Sequence, residues 1–345
     1  MKKRIDWIDY VRGISMLAVV ISHVETKEAA IVFDYTIFPF MLPAFFFVSG
    51  YVSKVVETDF FTYFKKRIVK LLITYFLLCL ASALFSLNNC RTYIHHPDEF
   101  IKTLQFILSG KALWFVACLI SADVIIGILM FLSQKRIFVF VLLSTVMTVL
   151  GVVCAKPHVH WFYYFDTALI CQILVVFGIL TRKYQLLEWI KNKWLAAVLS
   201  FTIYVGCVIG LDKTKLLHFN IAQNIYGNLF AFFIVACLGA ISISYICKCL
   251  PKCQILSFVG QHTLLYFAFH GHGLSVCYKI IASLYKLTEW NFLYNPYFFK
   301  PFAGIGTLLI LIIPSMLIDY FIPIMNGKYH KPIWFNWFKH KENIN

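Results

Sequence analysis

Long stretches of apolar residues, each close to the length needed to cross a lipid bilayer, follow one another along this sequence. A transmembrane helix needs about 20 mostly apolar residues, because the hydrocarbon core is about 30 Å thick and a helix rises about 1.5 Å per residue. Ten stretches fit this description: residues 9–24, 37–55, 68–87, 113–132, 137–154, 163–181, 194–211, 225–247, 263–285 and 302–325. The sequence therefore predicts an all-α, polytopic integral membrane protein with about ten transmembrane helices.

The amino-acid composition excludes most other classes of protein. Of the 345 residues, 61% are apolar and 14% are charged, whereas a typical soluble domain is about 45–50% apolar and about 25% charged. A soluble enzyme, a disordered chain and a secreted disulfide-rich domain all conflict with these values. The 11 cysteines are scattered, mostly singly, which is typical of buried free thiols. No soluble basic module accompanies the net charge of +15, so we expect no nucleic-acid partner.

The distribution of basic residues predicts the orientation of the chain in the membrane. With the N-terminus placed inside the cell, 21 of the 31 Lys and Arg residues fall on the inner side of the ten spans. Cytoplasmic loops carry such an excess of positive charge, so both termini are expected to be cytoplasmic. We interpret residues 1–345 as one membrane domain, with spans over 9–325 and a basic cytoplasmic tail over 326–345. Its immediate surroundings would be membrane lipids.

The first span contains the most informative polar residues, namely Asp9, Arg12 and His23. Ionisable side chains within a bilayer cost about 2.5–3.5 kcal/mol each on insertion scales, so they suggest function. Arg12 and His23 are 11 residues apart, which is about three helical turns, so they lie on one face about 16 Å apart. Asp9 and Arg12 have the i, i+3 spacing of an ion pair. A pair that fixes the helix end, together with a buried histidine, is the structural alternative.

A basic cluster follows the second span, at the cytoplasmic start of the third. The second span itself contains Ser49 and Gly50, which allow another helix to approach closely. In the basic cluster, Arg67 and Lys70 have i, i+3 spacing and together could bind a phosphate group. Positive-inside anchoring of the helix is the alternative role for such residues.

Taken together, these segments resemble the acyltransferase-three family of bacterial membrane O-acyltransferases. The resemblance rests on Asp-x-x-Arg with a histidine 11 residues after the arginine, on the second-span segment PAFFFVSGY, and on the basic start of the third span. The later segments ALWFVACL (112–119), VVFGIL (175–180) and FVGQHTLLYFAFH, which ends at residue 270, fit as well. The resemblance covers essentially the whole chain and is closest to the branch of fucose-O-acetylase-like proteins.

The resemblance assigns roles to individual residues. His23 matches the essential histidine of the family and Arg12 its paired basic residue, and we place Asp9 with them in the catalytic set. The expected donor-binding residues are Arg12, Arg67 and Lys70, although many members of the family have Arg at the last of these positions. Residues expected to contact the substrate are Trp114 of the Leu-Trp-Phe motif, the late histidine His270 and, at the outer face, Asp166.

One feature of the family is missing from this sequence. Fucose-acetylase-like members often have a histidine just before the Met-Pro or similar pair of the second span, where this chain has Phe40, Met41 and Leu42. The role of that histidine is therefore either absent here or filled by another residue such as His270.

The resemblance implies that an acetyl group passes from cytoplasmic acetyl-CoA to a hydroxyl of a cell-surface polysaccharide or its lipid-linked precursor, in the bacterial inner membrane. His23 would act as general base, since the ordinary imidazole pKa of about 6.5 suits proton transfer. A covalent acetyl-His23 is an alternative. Trp114 or Arg12 would stabilise the developing oxyanion. The resemblance implies no metal and leaves the oligomeric state open, a dimer included.

Other readings of the same residues stay open. A succinyl or other short acyl group could replace acetyl within the same fold. A glycan or lipid transporter also uses charges within the membrane, but the spans show no inverted repeat. A structural or sensory protein would make the motifs coincidental. For polar residues elsewhere in the spans, such as Asp123, Gln172 and Asp319, we predict interhelical hydrogen bonds.

Overall fold

The computed structural model describes residues 5–26, 31–85, 87–214, 219–288 and 295–328. Within these ranges the chain is helical and contains no β-strand, which confirms the all-α prediction. The helices are α1 (Asp6–Ser22), α2 (Ile31–Tyr51), α3 (Phe60–Tyr63), α4 (Lys70–Leu84), α5 (Leu87–His95), α6 (Pro97–Leu108), α7 (Trp114–Leu132), α8 (Ile137–Cys154), α9 (Phe165–Lys183), α10 (Lys193–Lys213), α11 (Leu229–Cys249), α12 (Gln254–Gln261), α13 (Thr263–Thr288), α14 (Pro296–Ile310) and α15 (Ile312–Phe321).

A helix occupies each of the ten predicted spans. Seven helical stretches within the described residues are long and apolar enough to cross a membrane: Phe60–Leu84, Trp114–Leu132, Ile137–Cys154, Phe162–Lys183, Lys193–Lys213, Leu229–Cys249 and Pro296–Phe321. The remaining three spans correspond to α1, α2 and α13, and α2 contributes a shorter apolar stretch, Pro39–Tyr51. The chain is therefore a multi-pass membrane protein. The count of ten spans and the cytoplasmic termini stay predictions, and most of the basic tail (329–345) lies outside the described residues.

Helix α1 lies against several other helices, including α2, α11, α12, α13 and α14. Asp6 and Asp9 lie in its first turn, where negative charge interacts favourably with the helix dipole. Its middle is apolar and almost completely enclosed, with Val11, Met16 and Val20 fully buried. The helix ends at Ser22. The polar residues of the first span are thus carried by a central helix rather than by one at the edge of the fold.

Glycines bring α2 and α9 into close contact. A Cβ atom added at Gly50 would lie 1.9 Å from the carbonyl oxygen of Val175, and one added at Gly178 would lie 2.0 Å from that of Phe47. Both distances are far below van der Waals contact, so no larger residue fits without moving a backbone. This agrees with the close helix approach predicted from Ser49 and Gly50.

A π-helical segment, Phe64–Val69, connects α3 to α4 and contains the basic cluster. The start of this span therefore lies earlier than the apolar pattern indicates, since the helix begins at Phe60 rather than near residue 68. A π-helix inserts one extra residue per turn and often occurs at functional sites. Here it turns Arg67 toward the neighbouring helices, while Lys65 and Lys66 remain exposed.

Candidate active site

A cavity of about 850 Å³ lies beyond the C-terminal end of α1. Seven helices contribute to its walls, namely α1, α2, α4, α5, α6, α7 and α13, together with the loops at 112–113 and 219–222. Its size suits a small organic ligand, since such pockets usually measure about 300–1,000 Å³. Three of the residues proposed from the sequence line it: His23, Trp114 and His270.

Two histidines from distant parts of the chain meet in this cavity. His23 follows the last turn of α1, and His270 lies in the first half of α13. Their ring centroids are 4.8 Å apart and the rings meet edge to face. The fold therefore brings together the histidine of the first span and the late histidine that the family resemblance singled out.

Hydrogen bonds fix which nitrogen of each ring is basic. The Nδ1 atom of His23 lies 2.7 Å from the carbonyl oxygen of Val19, and that of His270 lies 3.0 Å from the carbonyl oxygen of Phe267. A carbonyl oxygen only accepts, so Nδ1–H donates in both rings. In the neutral imidazoles the lone pair then resides on Nε2. The cavity thus holds two adjacent imidazoles that can each accept a proton at Nε2.

Trp114 begins α7 at the wall of the same cavity. The ring of Trp114 packs against Tyr164, and the next residue, Phe115, stacks on Phe267 of α13 at a centroid distance of 5.0 Å. The preceding residue, Leu113, provides no side-chain cap for the helix. Because the first N–H groups of a helix have no acceptor within it, this end of α7 can donate hydrogen bonds to a ligand oxygen.

Asp9 and Arg12 form the ion pair that their spacing predicts. An Nη1 atom of Arg12 lies 3.9 Å from Oδ1 of Asp9, and the side-chain amide of Gln261 donates to Oδ2 at 3.4 Å. Asp9 is buried between α1 and α12, whereas Arg12 keeps 28% of its side chain exposed. Neither residue lines the cavity that contains His23.

Arg67 contacts Asp123, a residue that the sequence suggested only as a hydrogen-bonding partner. Its Nε atom donates to Oδ2 of Asp123 at 2.8 Å, and Nη2 donates to the hydroxyl of Ser49. Tyr63 donates to the other oxygen of this fully buried carboxylate at 3.2 Å. Lys70, the other residue proposed for phosphate binding, is exposed. Neither Arg67 nor Lys70 lines the cavity.

Asp166 lies in the first turn of α9. It is buried, and its Oδ1 atom accepts from the backbone N–H of Trp161 at 3.1 Å. Its Oδ2 atom accepts from the side-chain amide of Asn224 at 2.8 Å. His160 lies close by and bonds to the carbonyl of Ala222, which is a wall residue of the cavity. Asp166 itself does not line the cavity, so its observed contacts are with the loops that form the wall.

Two further polar residues line the cavity, and neither was among the site residues predicted from the sequence. Ser82 lies in the apolar third span, and His272 follows His270 by two positions on α13. The partner of Arg67 was also missed, although a carboxylate within an otherwise apolar span requires a cation or donors. No group of three His, Cys, Asp or Glu residues suited to a metal ion occurs within the ranges that the structure describes.

Comparison with known proteins gives one match. The model of the acyltransferase-three family, described as an acyltransferase domain, matches residues 5–338. No curated protein and no solved structure matches the chain. The match covers every helix described above, including those that form the cavity and carry its two adjacent histidines. Because the match extends over nearly the whole chain, the chain belongs to the acyltransferase-three family.

Proposed function

We propose that this membrane acyltransferase transfers an acetyl group from acetyl-CoA to a sugar hydroxyl, with His23 as general base. The observation that carries the proposal is the pair of imidazoles in the cavity. In each ring the hydrogen bond donated by Nδ1–H leaves the basic lone pair on Nε2. A hydroxyl is a poor nucleophile until a base removes its proton, and a histidine suits that step near neutral pH.

The reaction follows from this arrangement. Nε2 of His23 accepts the hydroxyl proton as the sugar oxygen attacks the thioester carbonyl carbon. Negative charge then develops on the carbonyl oxygen, where Trp114 and the first turn of α7 would stabilise it. Breakage of the carbon–sulfur bond releases the CoA thiolate. The thiolate then accepts from His23 the proton that came from the sugar hydroxyl. The products are an acetyl ester and CoA, and no covalent acetyl-His23 is required.

His270 supports His23 in this proposal. It lies edge to face with His23, and Met41 and Leu42 line the same cavity. By the family resemblance, fucose-acetylase-like members often have a histidine near these two positions. His270 is therefore well placed to supply the imidazole that this chain lacks in α2, by binding the acceptor hydroxyl beside His23.

The phosphates of CoA would bind away from this cavity, near Arg12, Arg67 and Lys70. Lys70 is exposed, and the two arginines keep about a quarter of their side chains accessible while paired with carboxylates. An anion there would be bound by partly compensated cations. The acceptor would be a surface glycan or its lipid-linked precursor, and the enzyme would act in the bacterial inner membrane.

Label transfer in host membranes tests the proposal. Membranes containing wild-type protein are incubated with radioactive acetyl-CoA, and the label incorporated into glycan is counted. We expect His23→Ala to abolish incorporation, by at least about a hundredfold, since general-base catalysis typically contributes 10²–10⁴-fold.

The matched control is His95→Ala, which removes an exposed histidine of α5 that does not line the cavity. This variant should incorporate label as the wild type does. Equal incorporation by the His23→Ala variant, at equal protein in the membrane, would contradict the proposed role of His23.

A further inference from the structure

A second pair of polar side chains, Ser82 and His272, lines the same cavity as His23 and His270. The hydroxyl of Ser82, on α4, lies 3.2 Å from Nε2 of His272, on α13. The same hydroxyl donates to the carbonyl oxygen of Ala268 at 3.0 Å. The ring of His272 also contacts the rings of Phe85 and Phe269. These contacts fix the pair in position on two different helices.

The hydrogen bonds determine what the pair can offer to a ligand. Because the Ser82 proton points to Ala268, Nε2 of His272 must be the donor in the bond between the two side chains. The neutral ring of His272 then has its lone pair on Nδ1, the opposite tautomer to that of His23 and His270. Ser82 Oγ keeps one lone pair. The pair therefore presents two acceptors and no spare donor.

Acceptors of this kind select hydroxyl groups over anions. A sugar hydroxyl can donate to Nδ1 or to the serine oxygen, whereas a carboxylate or phosphate oxygen would meet only lone pairs. The rest of the wall agrees with an uncharged ligand, because none of the described residues that line the cavity is Lys, Arg, Asp or Glu. Trp114, Phe115 and Phe267 supply aromatic surface beside these polar groups.

The position of the pair favours the glycan over the CoA donor. The basic residues proposed for the CoA phosphates lie outside this cavity, and Arg12 is about 16 Å along α1 from His23. Only the thioester end of the donor needs to reach His23. The remaining space is therefore available to the sugar that carries the reacting hydroxyl.

We propose that Ser82 and His272 form a subsite that binds a second, non-reacting hydroxyl of an uncharged sugar, and so orient the acceptor against His23. This inference rests on the proposed function and adds the residues and the ligand class that would set acceptor specificity. Ser82 and His272 are positioning residues in this account, since they do not touch the reacting atoms.

The test is steady-state kinetics with purified protein in detergent. The acceptor probe is envelope polysaccharide from the host, stripped of its ester groups with mild alkali. We expect Ser82→Ala and His272→Phe to raise the KM for this polysaccharide about tenfold, the usual effect of losing one hydrogen bond. The KM for acetyl-CoA should stay within about twofold of the wild-type value.

Two further variants separate binding from structural damage. His272→Gln places an amide N–H toward Ser82 and an amide oxygen toward the ligand, so it should restore the polysaccharide KM to within about threefold. Ser283→Ala removes a hydroxyl of the same helix that bonds to the carbonyl of Lys279 and does not line the cavity, so it should change neither KM. Elution as a single folded species in size-exclusion chromatography checks each variant.

The outcomes distinguish this inference from the proposed function. If the wild type transfers acetyl but His272→Phe and Ser82→Ala leave the polysaccharide KM unchanged, or lower only kcat, the subsite is wrong and the acetyltransferase proposal stands. A rise in the KM for acetyl-CoA instead would assign the pair to the donor. If the wild type transfers no acetyl group either to the polysaccharide or to the lipid-linked glycan extracted from the same host, the proposed function and the subsite fail together.

Discussion

Arg67 has one predicted role and one observed contact, and a simple mutagenesis experiment would affect both. The sequence indicates a phosphate-binding cation at the start of the third span, and the structure adds an ion pair with the fully buried Asp123. Removal of one member of a buried pair leaves the other charge uncompensated, which costs about 3–5 kcal/mol. Loss of activity in an Arg67 variant could therefore result either from weaker donor binding or from lower stability of the fold.

A double variant separates these two effects. We expect Arg67→Met alone to lower the melting temperature of the purified protein clearly, because Asp123 remains charged and buried. Arg67→Met combined with Asp123→Asn removes both charges, while the amide oxygen still accepts from Tyr63, so most of the stability should return. The melting temperature is followed by thermal unfolding in detergent, and the KM for acetyl-CoA is measured on the double variant.

Donor binding by Arg67 predicts that this KM stays raised by about tenfold in the stable double variant, since a charged hydrogen bond is lost. A wild-type KM in the double variant would give Arg67 a structural role only.

The sequence could identify Arg67 and Asp123 as unusual, because charges are costly within spans. It could not pair them, since the pairing depends on how the π-helical segment turns Arg67 toward α7.

At the level of helices, the contact between α2 and α9 gives a prediction with a natural control. Gly178→Ala would place a methyl group 2.0 Å from the carbonyl oxygen of Phe47, so the two helices must separate. Gly210→Ala on α10 adds the same methyl group where no atom lies within 4 Å. We expect the first change to lower the melting temperature by several degrees and the second to leave it unchanged or slightly raised.

Equal melting temperatures for these two variants would show that the helices can adjust to the extra methyl group. In that case the closeness of α2 and α9 would not be essential to stability.

The positions of the helices were the most predictable feature of the fold. Long apolar runs allow few alternatives, and each predicted span contains a helix. The start at Phe60 was missed because the residues between Phe60 and Arg67 include polar ones, and the π-helix there is held by tertiary contacts such as Arg67 with Asp123. Two helices, α5 and α6, lie outside the predicted spans, and α5 has too few apolar residues to be recognised from the sequence.

Considered as a whole, the molecule assembles its cavity from segments spread along most of the chain, and the described wall has no formal charge. His23 was identifiable from sequence because of its spacing from Arg12. Its neighbour His270 was suggested only by the family resemblance, since contact between residues so far apart in sequence depends on the packing of α1 against α13. Asp166 is bonded to the loop residues Trp161 and Asn224, and its expected contact with the substrate stays a prediction.

The uncharged wall predicts selectivity among acyl donors. Burial of a carboxylate without a partner is costly, so a succinyl group should be rejected, whereas a neutral group of the same length should only be limited by size. We expect transfer from acetyl-CoA and, more slowly, from butyryl-CoA, with transfer from succinyl-CoA at least about tenfold slower than from butyryl-CoA. Rates are compared in the same membranes with the same polysaccharide. Succinyl transfer as fast as butyryl transfer would favour the succinyltransferase alternative.

The pairing of Arg67 with Asp123 also has a consequence for how the protein enters the membrane. The two residues are 56 positions apart, so at about 5–20 residues per second Asp123 is synthesised roughly three to eleven seconds after Arg67. During that interval the guanidinium has no carboxylate from α7, and a bare charge is unfavourable in lipid. We therefore expect the third span to remain near the cytoplasmic surface, held by Lys65 and Lys66, and to settle to its final depth only when α7 arrives. Membrane insertion of this region would then be a joint event of two spans rather than two successive ones.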